Sequence, residues 1–165
     1  MSFWPNVLVM VFIAALQACP LYAGVVKKSG YVGGSGSGIN YRVILKPDSK
    51  EKPIKLCPGK VGDMLANYQR TFAEASGVQE ESCFRVASFE ILKTPKGNDP
   101  IVGDLKKGDK GFFVVAKNKT YFLEAPPSRL KSLLGESVII DLVSSISIKG
   151  KKDKLFNVIF FAKAP

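Results

Sequence analysis

Gly111-Phe112-Phe113-Val114-Val115-Ala116-Lys117-Asn118-Lys119-Thr120-Tyr121-Phe122-Leu123-Glu124 reads as two strands and a turn. Residues 111–116 and 119–124 are rich in β-branched and aromatic side chains. The polar pair Lys117-Asn118 between them supplies the reversal of a β-hairpin. Upstream, 105–111 (Leu-Lys-Lys-Gly-Asp-Lys-Gly) has turn chemistry, and Ile101-Val102 before it predicts a short strand. Downstream, Pro126 or Pro127 opens a helical segment of a single turn or slightly more, ending near residue 134. Strands are expected over 136–143, 145–149 and 155–163, with 150–153 (Gly-Lys-Lys-Asp) as the turn between the last two. Phe156, Val158 and Phe160 mark one face of the last strand; Leu155, Ile159 and Phe161 mark the other. A strand apolar on both faces is central in a sheet or covered on both sides.

Towards the N-terminus the signals continue. Ile39, Tyr41, Val43 and Leu45 alternate along a half-buried strand. Val61, Met64, Leu65, Tyr68 and Phe72 fall on one helical face, which predicts a helix over 61–75 stopped at Gly77. In the strand expected over 83–92, Phe84 and Val86 have one parity and Phe89 and Ile91 the other. The switch at Ala87-Ser88 predicts a bulge or bend. A series of short strands with one main helix defines an α+β, β-rich fold. A small, strongly curved sheet or partly closed barrel is expected, with a topology that loosely resembles the OB-fold.

The first 23 residues read differently. Val7 to Leu16 is unbroken apolar sequence, small residues follow at Ala18 and Ala23, and no charged side chain precedes Lys27. The run is too short to span a bilayer, which takes roughly 20 apolar residues, and has the length of an export-signal centre. Two cleavage sites compete. Leu16-Gln17-Ala18-Cys19 resembles the lipobox of bacterial lipoproteins, which implies a lipidated Cys19 and a membrane anchor. The alternative is ordinary cleavage after Ala23. The glycine-rich stretch 24–38 is expected to be a linker, leaving 39–165 as a single globular domain. The implied location is extracytoplasmic: periplasmic or envelope-anchored in a bacterium, secreted otherwise.

The 165 residues carry 24 Lys and Arg against 14 Asp and Glu and no His, a net charge of +10. Arginine is confined to Arg42, Arg70, Arg85 and Arg129. Lysine is a hydrated point charge, whereas arginine is the fork-shaped reader of phosphates and carboxylates. The basic surface therefore points to diffuse attraction towards acidic partners. Of three cysteines, Cys57 and Cys83 lie in the globular part, and an exported chain would join them as a disulfide.

Without His, a Ser-His-Asp triad, a Cys-His pair and a His-rich zinc site are excluded. Glu80-Glu81 are adjacent, so on a strand they diverge. Asp141, flanked by Ile139, Ile140, Leu142 and Val143, is a candidate for partial burial; otherwise it faces solvent or pairs with a lysine. The Ser128-x-x-Lys131 spacing occurs in some Ser/Lys hydrolases but is too short a pattern to imply one. Asn118-Lys119-Thr120 is a glycosylation sequon, meaningful in a eukaryotic host only.

No enzyme and no cofactor or metal is implied. The expectation is an exported binding protein using two lysine clusters: Lys106, Lys107, Lys110, Lys117 and Lys119, and Lys149, Lys151, Lys152 and Lys154. If the turns carrying them share one end of a barrel, their fields add. The partner would be an acidic protein or an anionic envelope polymer or lipid surface. The alternatives are an inhibitor or immunity-type protein acting on an extracytoplasmic enzyme, and a single-stranded nucleic-acid binder using Phe112, Phe113, Tyr121 and Phe122 as stacking platforms.

Overall fold

The computed structural model describes residues 24–37, 42–144 and 154–165. The export signal, Cys19 and both cleavage sites lie outside these residues, as do Ile39, Tyr41, the strand expected over 145–149 and the turn 150–153. The described chain is β-rich and forms two five-stranded units. The first contains β1 (Val26–Ser35), β2 (Arg42–Lys46), β3 (Ile54–Lys55), α1 (Lys60–Leu65), β4 (Phe72–Gln79) and β5 (Phe84–Lys93). The second contains β6 (Ile101–Gly108), β7 (Gly111–Ala116), β8 (Lys119–Leu123), α2 (Ser128–Lys131), β9 (Ser137–Ser144) and β10 (Leu155–Lys163).

The second unit is a closed barrel in the order β9-β6-β7-β8-β10. Its first three strands form an antiparallel meander. The fourth strand, β9, returns beside β6, and β10 closes the barrel between β9 and β8, parallel to β8. This is an OB-like Greek-key barrel. The expected hairpin is present, with Lys117-Asn118 as its turn and Lys117 at a φ of 51°.

The first unit repeats the connectivity. Its sheet runs β3-β2-β1-β4-β5, and one parallel bridge, Leu56–Phe84, joins the chain just after β3 to the start of β5. That bridge occupies the place of the β8–β10 pair. Each unit also puts a short helix between its third and fourth strands, and each helix buries one leucine completely, Leu65 and Leu130. Each last strand carries a bulge. The register of β5 against β4 skips Ala87, and that of β10 against β9 skips Ile159. The Ala87 bulge is where the parity of β5 switches in sequence.

Two cores result. Val32, Leu45, Leu65, Tyr68 and Phe84 belong to the first; Leu105, Val114, Leu130, Val138 and Ile140 belong to the second. The strands β9 and β10 are the wall between them. Val158 and Phe161 pack inside the barrel, while Ile139, Phe160 and Ala162 pack against the first core. The strand is apolar on both faces as expected, but the bulge at Ile159 switches its parity, so Phe160 leaves the face of Val158 and Phe161 joins it, which corrects the expected face sets. Tyr68 Oη adds a bond across the wall, donating to the Lys163 carbonyl at 2.5 Å, and burial raises its pKa above the usual phenol value.

Three expectations need correction. Residues 26–35 are not a linker: they form β1, paired with β2 on one side and β4 on the other. Backbone pairing needs no bulky side chains, and a Cβ at Gly30 would lie 2.8 Å from the backbone of Lys46. The glycines permit close approach there, and the first described strand starts at Val26, ahead of Ile39. The helix expected over 61–75 stops at Leu65, with a 3₁₀ turn over Ala66–Tyr68. Arg70 then adopts a φ of 67° and Phe72 opens β4. In β4 the buried positions are Ala73, Ala75 and Gly77, an alternation disguised by small residues. Gly77 is no helix stop: a Cβ there would meet the Arg85 carbonyl oxygen at 2.0 Å, beside the bulge. Finally, 101–108 is one strand, so Lys106 and Lys107 belong to β6, and the turn shrinks to Asp109-Lys110.

Cys57 and Cys83 are joined, with Sγ atoms 2.09 Å apart and Cα atoms 5.1 Å apart. The bond lies beside the Leu56–Phe84 bridge and staples the closing seam of the first unit. The chain-entropy model assigns about 3–4 kcal/mol to a loop of this length. Reduction, or the Cys57→Ser and Cys83→Ser pair, is therefore expected to lower unfolding free energy by about 3 kcal/mol in urea titrations followed by circular dichroism. Equal stability with and without reductant would show that the seam holds without it.

Candidate functional site

The hairpin β7–β8 and the strands flanking it bring the basic and aromatic residues together. Pairing alternates side chains between the faces. Phe113 and Phe122 are directly paired and face outward, with ring centroids 5.7 Å apart. Lys106 is paired with Phe113 on the same face, and Lys110 Nζ lies 5.6 Å from the Phe122 centroid. On the opposite face Phe112 packs against the barrel core. Two ammonium groups approach its ring: Lys107 from β6 at 5.7 Å and Lys131 from α2 at 5.8 Å.

At the other end of the hairpin, Tyr121 and Phe156 meet edge to face at 5.4 Å. Lys119 lies 4.8 Å over Tyr121 and Lys154 lies 5.6 Å over Phe156. The parallel register pairs Leu155 with Phe122, which sets Lys154 level with Tyr121. The result is a row of cation, ring, ring and cation. Such contacts contribute about 0.5–1 kcal/mol each at exposed sites. Their larger effect is to hold flexible lysines against flat apolar surfaces.

The six described lysines of the expected set, Lys106, Lys107, Lys110, Lys117, Lys119 and Lys154, are exposed. They are not gathered at one end. The β6–β7 and β7–β8 turns lie at opposite ends of β7, so Lys110 and Lys117 are separated along the hairpin, and the expectation of one shared end is corrected. Lys149, Lys151 and Lys152 lie outside the described residues. Lys131 is not in either expected lysine cluster, because only closure of the barrel brings α2 to Phe112. Phe156 joins the site for the same reason. Among the described residues, Lys107, Lys119, Lys131 and Lys154 have no carboxylate partner. Ion pairs form elsewhere, at Lys27–Glu74, Arg85–Glu80, Lys93–Asp99 and Lys163–Glu136.

The catalytic candidates are engaged in structural roles. Lys131 of the Ser128-x-x-Lys131 pattern is turned to Phe112. Glu80 accepts bonds from Arg85 Nε and Nη2, which raises the guanidinium pKa. Its Oε2 lies 3.4 Å from Cys57 Sγ and 3.9 Å from Cys83 Sγ. That trio has the spacing of metal ligands, but the disulfide occupies both sulfurs. Asp141 is 2% exposed; it neither faces solvent nor pairs with a lysine. Its carboxylate accepts from Thr94 Oγ1 at 2.5 Å and from Asn98 Nδ2 at 3.1 Å and 3.2 Å. It thereby pins the connection between β5 and β6 to the barrel wall. Asn118 of the sequon is exposed at the hairpin turn.

No family model, no curated protein and no solved structure matches the chain. A disulfide is compatible with an oxidising, extracytoplasmic location. Among the described residues no helix is long and apolar enough to cross a membrane.

Asp141→Ala would leave the buried Thr94 hydroxyl without its acceptor, at a cost of about 1–3 kcal/mol. The expected outcome is a lower denaturation midpoint with unchanged ligand binding. A variant as stable as the parent would show that Asp141 does not fix the connection.

Proposed function

We propose that this chain is an exported, non-enzymatic binding protein that holds an acidic ligand or partner on the barrel of the second unit. The observation that supports this reading is the seating of Lys107, Lys110, Lys119, Lys131 and Lys154 over aromatic rings. Exposed lysines normally lose much side-chain entropy when they bind. Here the rings restrain them beforehand, so less is lost. The same rings supply apolar contact beside each positive charge. A partner with carboxylate or phosphate groups on an extended surface suits this arrangement better than a compact anion, because the charges run along both ends of the hairpin. The disulfide and the apolar leader 7–16 support action outside the cytosol.

Nucleic acid is a second reading, favoured by one observation. Phe113 and Phe122 face outward on the second and third strands of an OB-like barrel, the face that takes oligonucleotides in proteins of that topology.

The test is titration of the full mature chain with polyglutamate, anionic vesicles and single-stranded DNA over a range of salt. Affinity for one or more of these polyanions is expected to fall steeply as salt rises. Replacing Lys107, Lys119 and Lys154 together with Glu should lower low-salt affinity at least tenfold while the fold is retained. A change under twofold would overturn the assignment of this surface. Affinity that resists salt and concentrates in one protein partner would favour the inhibitor reading.

A further inference from the structure

The first unit contains an open cleft of about 420 Å³ beside the disulfide. Register defines its walls. Ser35 pairs with Arg42, and Lys55 pairs with Ile44. Arg42 and Ile44 are two residues apart on β2, so all four side chains lie on one face. That face is opposite the one that Val43 and Leu45 turn into the first core. Ile44 is nevertheless 4% exposed, and it belongs to neither hydrophobic cluster. It is the apolar floor of the cleft, extended by Leu56 and Pro58. The ionisable side chains lining the cleft are Arg42 and Lys55, both cationic. Glu80, in the adjoining β4–β5 turn, is taken up by Arg85. Ser35 and Ser82 add hydroxyl donors at the rim.

The position is also informative. The cleft lies on the second and third strands of its unit, between Ser35-Gly36, where the connection from strand one to strand two begins, and the turn joining strands four and five. In the second unit the corresponding place is the Phe113–Phe122 face, with Lys110 in the first of those connections and Lys154 at the end of the second. The duplicated connectivity thus places a basic, partly apolar surface at the same point twice. The first copy differs in being concave, with one wall fixed by Cys57–Cys83.

We infer that this cleft is a separate binding site for a small amphipathic organic acid. A carboxylate or phosphate head group is met by the exposed Lys55 ammonium, in a cleft whose other ionisable side chain, Arg42, is also cationic, and a short apolar body lies along Ile44, Leu56 and Pro58. Preformed sites that are mostly apolar, with a few converging polar groups, bind small ligands in this way. The site does not depend on the role proposed for the barrel.

Isothermal titration of the full mature chain with octanoate, octyl phosphate and octanol tests the inference. One equivalent of octanoate or octyl phosphate is expected to bind, and the preferred head group tells carboxylate from phosphate. Octanol should bind at least tenfold more weakly. Lys55→Glu, at an exposed position, should weaken the acid at least tenfold. Ser82→Trp, in the exposed β4–β5 turn, should block binding by filling the cleft. The Lys119→Glu, Lys154→Glu double variant should bind as the parent does, which separates this site from the barrel. Absence of binding, equal affinity for octanol, or indifference to Lys55→Glu and Ser82→Trp would overturn the inference.

Discussion

The barrel closes through one parallel contact between its third and fifth strands, and the sheet of the first unit is drawn round by a single parallel bridge at the corresponding place. Among the described residues all other strand pairs are antiparallel neighbours, and a meander alone would leave two open edges. In the second unit the contact is the β8–β10 pairing, Leu155 with Phe122 and Phe156 with Leu123. In the first it shrinks to the Leu56–Phe84 bridge, and the Cys57–Cys83 disulfide lies directly beside it. A covalent bond stands where a longer ladder is missing. The bulges at Ala87 and Ile159 bend the fifth strands so that they reach back to the third, as bulges do at barrel corners.

The same closure creates the surfaces proposed to bind ligand. Phe156 reaches Tyr121 only because β10 runs alongside β8, and Lys131 reaches Phe112 only because α2 lies across the barrel. Without closure, Lys119 and Lys154 would be unrelated charges on separate strands. In the first unit the seam sets Leu56 beside Ile44 and Cys83, which gives the cleft its floor and one wall. The wall shared by the two units, β9 and β10, makes each core dependent on the other, and Asp141 ties the connecting segment to that wall.

The hairpin around Lys117-Asn118, the short helix after Pro127, the bulge at Ala87, the last strand and the disulfide pair were all legible in the sequence. Each rests on a local signal: a turn pair, a proline, a parity switch, a run of apolar residues or an even cysteine count. What escaped has a common cause. Strand β4 half-buries Phe72, Glu74, Ser76 and Val78 on one side and buries Ala73, Ala75 and Gly77 on the other, so its alternation is one of size and carries little hydropathy contrast. Strand β1 is half glycine and serine around Gly33, which reads as a linker until its neighbours are known. The two-fold repetition of the fold leaves no repeated sequence pattern. The candidate site was legible as composition, lysines beside aromatics, but not as geometry. Lys131 and Phe156 enter it through long-range pairing alone, and Lys110 and Lys117 separate because their turns lie at opposite ends of β7.

The ring-seated lysines of the barrel are proposed as a ligand surface distinct from the general positive charge. The most direct measurement is a backbone amide NMR map of the mature chain titrated with polyglutamate at low salt. Shifts are expected at residues 106–113, 119–122, 131 and 154–156 alone. Strands β4 and β5 should be silent, although Lys93 and Arg85 are equally charged. Shifts spread evenly over every lysine, or gathered outside the barrel, would contradict the proposed surface.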